Sequence, residues 1–593
     1  MQKGAIMPQQ ANITFSSLNI HSCFQDCYIV PEYQREFVWE EKDVEKLLSD
    51  LRDAYSGNSN KSYFLGTIVT YLSNGQHELI DGQQRITSFF LLLCVLRRRY
   101  QSYGQDTSVF ESAICSSMMN QYGESVRVYH LQLQYIDAGN CLQLIYEGKP
   151  MPADSSPSIE RMFCAVECME TFLAEHYPNK KDLMRFAWFL LNQTQFIRVE
   201  TDDITDALKI FETINERGVG LNPMDLLKNM IFRQVQRDQF PQLNSQWRTM
   251  ISALEKAQEK PLRFLRYFIM ANYDVSGEPD GILREDRIYD WLSHNNSQCH
   301  YEEQPFEFVH KMQENVDRYL DCLRPKDSDY GNIHLKNIPL IAGWSYRQHL
   351  MLMLAAADMN PGASEKFKKV LESVVYYTVI NRFSSNMTER TFVRWCPMVR
   401  GIHSEEELSR FVSATVIPAV NGWKVNHEQL FMNLGFRSMQ QYRTKFILAK
   451  IFAYVEALQN GKSEVGDLTP YRENSIEIEH IMPQACNCVA DYGMTEDEFE
   501  IYVNRLGNLT LLEGTINKSI HNDDYDSKCE AYRKSKFYLT RALPELIDQG
   551  MNTAINRTNR KLRAWPEWNK ASIEERQRML YVLSEEIWKL EDL

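Results

Sequence analysis

Near the far end of the chain the run EIEHIMPQ closes at Gln484, followed by NRLGNLTLL from Asn504 to Leu512 and then by Asn517. These residue types suit metal-assisted hydrolysis of a phosphodiester. That chemistry needs a base to activate water, a divalent cation at the scissile phosphate, and a group that fixes the base. His480 fits the base, because an unperturbed imidazole titrates near pH ~6.5 and is largely neutral at pH 7. Glu479 offers a hard oxygen ligand for Mg²⁺ or Mn²⁺. Asn508 offers an amide oxygen to hold the imidazole, and Asn517 a second metal ligand from the following helix. A lone His is more often a satisfied structural residue. Here EHIMPQ, LGNLTLL, Asn517, Lys528 and Tyr532 in one order argue for the chemical role, with His521 a rival to Asn517.

A second constellation stands at the other end of the chain, IDGQQR from Ile80 to Arg85. Asp81 and Gly82 predict a tight turn after a strand, and Gln83, Gln84 and Arg85 open a helix. A helix N-terminus beside a guanidinium combines free amide donors with a bidentate charge, which suits a phosphate. Asp81 would orient the arginine or hold a metal; a capped strand–helix turn with an internal Asp–Arg pair is the plainer alternative. Upstream, Tyr33, Gln34 and Arg35 bring stacking, amide and guanidinium groups suited to a phosphate or a modified base, or equally form a strand edge pairing Arg35 with an acid. Asn215, Glu216 and Arg217 fit a helix cap better than a pocket wall.

These residues need elements to carry them. Val44, Leu47, Leu48 and Leu51 at helical spacing predict an amphipathic helix within Trp39 to Tyr55. Tyr63 to Leu72 predicts a strand, Glu78 to Ile80 a second, and Ile86 to Arg99 an apolar helix. The pattern turns largely helical from about Gln101, with Phe196 to Val199 returning to the sheet and Ile204 to Asn215 helical. Asn222 as N-cap and Pro223 at the first position restart a helix. Phe240 to about Gly461 is helix-rich, with Pro325 to Asn337 its polar interruption. The expected domains are 10–235, carrying DGQQR; 236–460, helical; and 461–593, carrying His480.

The chain has 593 residues, too many for one core. Its 13 Cys include no CxxC pair, and Cys23/Cys27, Cys164/Cys168 and Cys486/Cys488 form no framework, which fits reduced thiols in the cytoplasm. The N-terminal run MQKGAIMPQQANITF has no apolar signal core, and the longest apolar run, Phe89 to Leu96, is far short of a membrane span. A net charge of −14 excludes a simple DNA-coating protein and leaves room for a local basic groove. Arg557, Arg560, Lys561 and Arg563 beside Trp565 and Trp568 are one candidate groove, or a solvated helix end packed by Trp.

The segment from about Asn474 to Leu593 resembles the C-terminal HNH domain of the GmrSD-type modification-dependent restriction enzymes, where EHIxPQ, LGNLTLL, an Asn and a Lys carry the active site. Many HNH sites have Asp before the His; this chain has Glu479. PEYQREFVW, FLGTIV, IDGQQRITS and IFETINERGVGLNPMDLLKN, within about Phe15 to Phe232, resemble the ParB/sulfiredoxin-like N-terminal domain of the same family. There DGQQR is associated with binding and hydrolysis of a nucleoside triphosphate, and the domain gates cleavage. The resemblance implies a helix-rich α+β multi-domain chain with a ParB-like sensor in front and a ββα-metal nuclease behind. It implies a nucleotide-regulated endonuclease acting on double-stranded modified phage DNA. Its cofactors would be Mg²⁺ or Mn²⁺ and ATP, GTP or UTP, with no membrane and room for a homodimer. A toxin cutting host DNA or RNA, and a nucleotide-binding switch with an inert HNH segment, are the alternatives.

Overall fold

The computed structural model describes residues 13–591 apart from 32, 33, 35, 58–61, 74, 120–123, 136–137, 203–205, 208–209, 211–222, 326–331, 463, 486–488, 521 and 549–551. The chain divides into two compact units, residues 1–252 with 289–310 and residues 253–288 with 311–593. Helices dominate both, and each unit carries sheet.

The first unit is built on a six-stranded sheet. Its strands are β1 Thr14–Asn19, β2 Tyr28–Val30, β3 Tyr63–Ser73, β4 Gln76–Asp81, β7 Leu131–Leu133 and β8 Thr194–Thr201. They lie in the order β1-β8-β3-β4-β2-β7. β3 pairs antiparallel with β4 and parallel with β8, so the DGQQR turn leaves the sheet from a central strand. Helices α1 Glu41–Gly57, α2 Gln83–Ser102, α3 Pro157–His176 and α4 Lys180–Gln193 accompany it. The run Phe89 to Leu96 on α2 is buried on every side, which explains why it lacks a polar face. Ile68, Leu79 and Phe196 from the sheet join the same apolar core.

A separate hairpin, β5 Cys115–Met119 with β6 Ser125–Tyr129, corrects the expectation of a largely helical run after Gln101. Val126 and Val128 alternate with Arg127 there, a period of two that a helix cannot use. The expected helix at Ile204 to Asn215 and the Asn222 cap fall largely outside the described residues; the helix from Pro223 is present as α5 Pro223–Phe232.

In the second unit α6 Pro261–Asn272, α8 Gln348–Ala355 and α10 Ser385–Arg400 pack on one another, and α7 Asn332–Ala342 packs on α9 Pro361–Ile380. The polar interruption therefore ends at Asn332, earlier than expected, and Asn332 to Asn337 is helical. α11 Gln441–Gln459 is buried along most of its length. A hairpin follows, β9 Ile476–His480 antiparallel to β10 Leu509–Glu513, with Leu509 opposite His480 and Leu512 opposite Glu477. α12 Gly514–Ile520 and α13 Tyr525–Tyr532 follow it, and α14 Lys570–Ile587 lies against the turn that precedes β10.

Two histidines of this unit away from the β9–β10 hairpin are buried neutral. Burial pushes His349 down to about 3 and His427 down to about 4. The unfolded chain binds those protons near pH ~6.5 and the folded chain does not, so stability present above that pH is lost as pH falls through the folded values. Denaturant midpoints measured from pH 7 to pH 4 should fall. His349→Phe should flatten that slope, at about 1.4 kcal/mol per pKa unit removed; an unchanged slope would exclude His349 from the acid transition.

Candidate active site

β9 ends on His480 because the next residues turn through Pro483, and that turn is held by one side chain. Asn508 Oδ1 accepts from the Met482 amide at 2.7 Å and from the Trp568 indole at 2.9 Å. Its Nδ2 donates to the Met482 and Val503 carbonyls at 3.1 and 2.9 Å. The amide thus has four partners in a site closed to water, and none is the imidazole. The structure corrects the expected contact: Asn508 fixes the backbone that follows His480, not the ring.

The turn around Asn508 is backed by α14. Fully buried Arg576 donates from Nη1 to the Gly507 and Leu509 carbonyls, at 2.8 and 2.6 Å. Gln577 Oε1 accepts from the Gly507 amide, and its Nε2 donates to the Phe431 carbonyl at 2.7 Å. A Cβ on Gly507 would sit 2.3 Å from the Ile573 carbonyl oxygen, so only glycine lets the turn and the helix approach this closely.

His480 is 7 % exposed. Burial, with the Lys528 and Arg437 cations adding to it, pushes its pKa down to about 4, so the ring is neutral at pH 7. The edge of Phe436 packs on it at 5.0 Å between centroids. The Gln484 amide lies 3.2 Å from ring Nε2. An amide nitrogen only donates, so this contact assigns the lone pair to Nε2. Gln484 belongs to the motif, but its residue type alone assigns it no function.

Strand alternation puts Glu477 and Glu479 on one face of β9 and His480 on the other. Glu479 Oε1 accepts from Lys528 Nζ at 2.6 Å and from the Tyr532 hydroxyl at 3.3 Å. Burial holds its carboxyl above the usual range despite the lysine. Lys528 also donates to the His480 carbonyl at 2.8 Å, tying α13 to the end of the strand. Asn517 Nδ2 donates to Glu477 Oε2 at 2.7 Å. Glu477 is the residue missed from sequence; its two-residue spacing from Glu479 was the available signal. No Glu479–Asn517 contact is present, and neither reaches the imidazole by a hydrogen bond. His521 lies outside the described residues.

Among the described residues no three His, Cys, Asp or Glu side chains gather around a common metal position. Glu477 and Asn517 still bring a carboxylate and an amide together, the hard-oxygen chemistry that Mg²⁺ accepts with one or two protein ligands. The donor set fits a Mg²⁺- or Mn²⁺-class ion and lacks the thiolates of a zinc cage.

At the other end, Gly82 takes φ 87° between β4 and α2, and no side chain caps that helix. A Cβ on Gly82 would meet Ile68 Cγ2 at 2.5 Å. The N-cap residue of this 20-residue helix is a glycine and brings no side-chain acceptor of its own. Arg85 donates to the Leu65 and Thr67 carbonyls at 3.0 and 2.8 Å and lies 3.7 Å from Asp81. Gln84 accepts from the Val38 amide at 2.9 Å and donates to the Glu36 carbonyl at 3.0 Å, so both ends of its amide clasp the incoming chain. Gln34 donates to the Ile80 carbonyl at 3.3 Å, beside the motif. Gln83 is buried at the start of the helix. Tyr33 and Arg35 lie outside the described residues.

In the basic segment near the end of the chain Arg557 and Arg560 are exposed. Lys561 pairs with Glu586 at 2.5 Å and Arg563 with Glu575 at 2.9 Å, while Trp565 and Trp568 are core residues.

Two variants separate the two kinds of residue. Asn508→Ala leaves the Trp568 indole and the Met482 amide buried without partners and should cost about 3 kcal/mol or more in stability. His480→Ala should leave the thermal midpoint near wild type while removing the proposed base. Equal midpoints for both variants would refute the assignment of Asn508 to the turn.

Residues 15–232 match the family described as GmrSD restriction endonuclease, N-terminal domain. Residues 426–582 match GmrSD restriction endonucleases, C-terminal domain. No curated protein matches the chain.

Proposed function

From the membership of this chain in the GmrSD family of restriction endonucleases, we infer that it is a nucleotide-regulated, metal-dependent nuclease acting on modified phage DNA. The observation that carries the reading is His480, a buried neutral imidazole with its Nε2 lone pair turned to an exposed amide, inside the matched C-terminal segment. A neutral imidazole with that lone pair free accepts a proton from water once Gln484 yields the position. Phe436 and Asn508 hold the ring and the backbone beneath it. Glu479 and Asn517, with Glu477 hydrogen-bonded to Asn517, would hold the Mg²⁺ or Mn²⁺ ion where β9 ends beside His480. The ion, when bound, supplies charge stabilisation at the scissile phosphate. The C-terminal unit carries the ββα-metal HNH arrangement in this reading, and the N-terminal unit a ParB-like sensor.

The nucleotide reading rests on the N-terminus of α2, entered through Gly82 at positive φ, with Arg85 beside it. Anions are favoured at such a terminus by free amides and the helix dipole. Arg85 also bridges two carbonyls of β3, so a triphosphate bound there would act on the sheet as well as on the helix. A nucleotide then shifts cleavage only by binding the resting or the cutting state better.

The deciding experiment digests modified phage DNA, unmodified DNA and RNA side by side with Mg²⁺ or Mn²⁺. Modified DNA should be cut, and cleavage should stop on chelation. His480→Ala should lower the rate by about 10²–10⁴-fold or more, and Glu477→Ala and Asn517→Ala should raise the metal concentration required. Preferential cutting of RNA, or full activity after exhaustive chelation, would refute the reading.

Arg85→Ala should abolish the rise in thermal midpoint that a triphosphate produces in the wild type and alter the nucleotide dependence of cleavage. Identical nucleotide titrations for the two proteins would reduce the motif to a structural turn.

A further inference from the structure

One face of α4 is built for contact and has none among the described residues. Leu183, Phe186, Ala187 and Leu190 point to the core of the first unit. On the opposite face Lys180, Lys181, Met184, Arg185 and Trp188 follow one another at helical spacing, all exposed. Trp188 is 58 % exposed and Met184 40 %. A groove of about 780 Å³ runs along this face, with Tyr55 and Phe189 in its wall. Tyr55 is itself locked by edge contacts to Tyr177 and Phe186, so the wall is rigid.

The charges here are unlike those elsewhere in a chain of net charge −14. Lys180 and Lys181 have no ion pair among the described residues, and the carboxylate nearest Arg185 is Asp182, at 4.0 Å. The basic segment at the end of the chain differs in its aromatics: it buries Trp565 and Trp568 and pairs Lys561 and Arg563 with glutamates. A large aromatic left in water among largely unpaired cations is the combination that nucleic acids select: cations for phosphates and a ring for a base.

We propose that this face of α4 is a docking surface for DNA, with Lys180, Lys181 and Arg185 on the phosphate backbone and Trp188, flanked by Met184, stacked on a base turned out of the helix. The inference rests on DNA being the substrate and adds where the first unit grips it. The cations act without regard to sequence, as suits a protein that must scan before it cuts.

The test is binding of a fluorescein-labelled unmodified duplex, by anisotropy over a range of salt. It compares wild type with a Lys180→Glu, Lys181→Glu, Arg185→Glu triple variant, with Trp188→Ala and with Trp188→Phe. All the altered side chains are exposed, so thermal midpoints should match wild type. The triple variant should bind at least about tenfold more weakly, with a salt slope shallower by about 0.9 for each phosphate no longer neutralised. Trp188→Ala should cost about tenfold and Trp188→Phe much less, since a phenyl ring still stacks. Wild-type affinity and slope in the triple variant overturn the proposal. So does an effect confined to self-association or to anionic vesicle binding, which assigns the face to a second copy or a membrane. A wild-type protein that neither binds nor cuts any DNA sinks the endonuclease reading itself, a different result.

Discussion

Asn508 sits in a volume that water does not enter, and it satisfies four polar groups at once: the Met482 amide, the Met482 and Val503 carbonyls, and the indole of Trp568. Buried polar groups are costly when unpaired and rigid when fully paired. The hairpin is short, and two strands alone are marginal in water. What makes it a platform is the polar seam between Asn508, Gly507 and α14, where Arg576 and Gln577 reach the turn. The orientation of His480 follows from that seam, because the backbone on its C-terminal side has no other conformation open to it.

Around this frame the charges are sorted by burial. Burial raises the Glu479 carboxyl and Lys528 opposes that shift at 2.6 Å, so the pair stands or falls together. The same ammonium raises the cost of a proton on His480, after burial has already done most of that work. One lysine on α13 therefore helps keep a carboxylate charged and an imidazole neutral, and that division of states favours a base at neutral pH.

The N-terminal motif shows one set of residues fastening several segments of the sheet unit together. Gln84 fastens the segment at Glu36 to Val38, and Arg85 bridges the carbonyls of Leu65 and Thr67 where the register of β3 against β8 shifts. Gly82 lets the chain enter α2 without a capping side chain. The helix thus starts buried, at the same turn that locks the motif into the sheet.

Local sequence pattern located the elements around DGQQR. The apolar run of α2 and the two strands that precede it follow from local pattern, because each buries its apolar face along its own length. The hairpin at Cys115–Tyr129 escaped, since its strands are short and largely exposed and leave little apolar signal. The motifs singled out His480, Asn508 and Asn517 as residue types, and all three lie within the segment that matches the family's C-terminal domain. Their partners were a different matter. That Asn508 serves a turn, that Glu479 belongs to Lys528 and that Glu477 meets Asn517 depend on contacts 26 to 49 residues apart in the chain. A side chain's type states what it can bond to; only the packed fold, by excluding water and competing donors, decides which bond it makes.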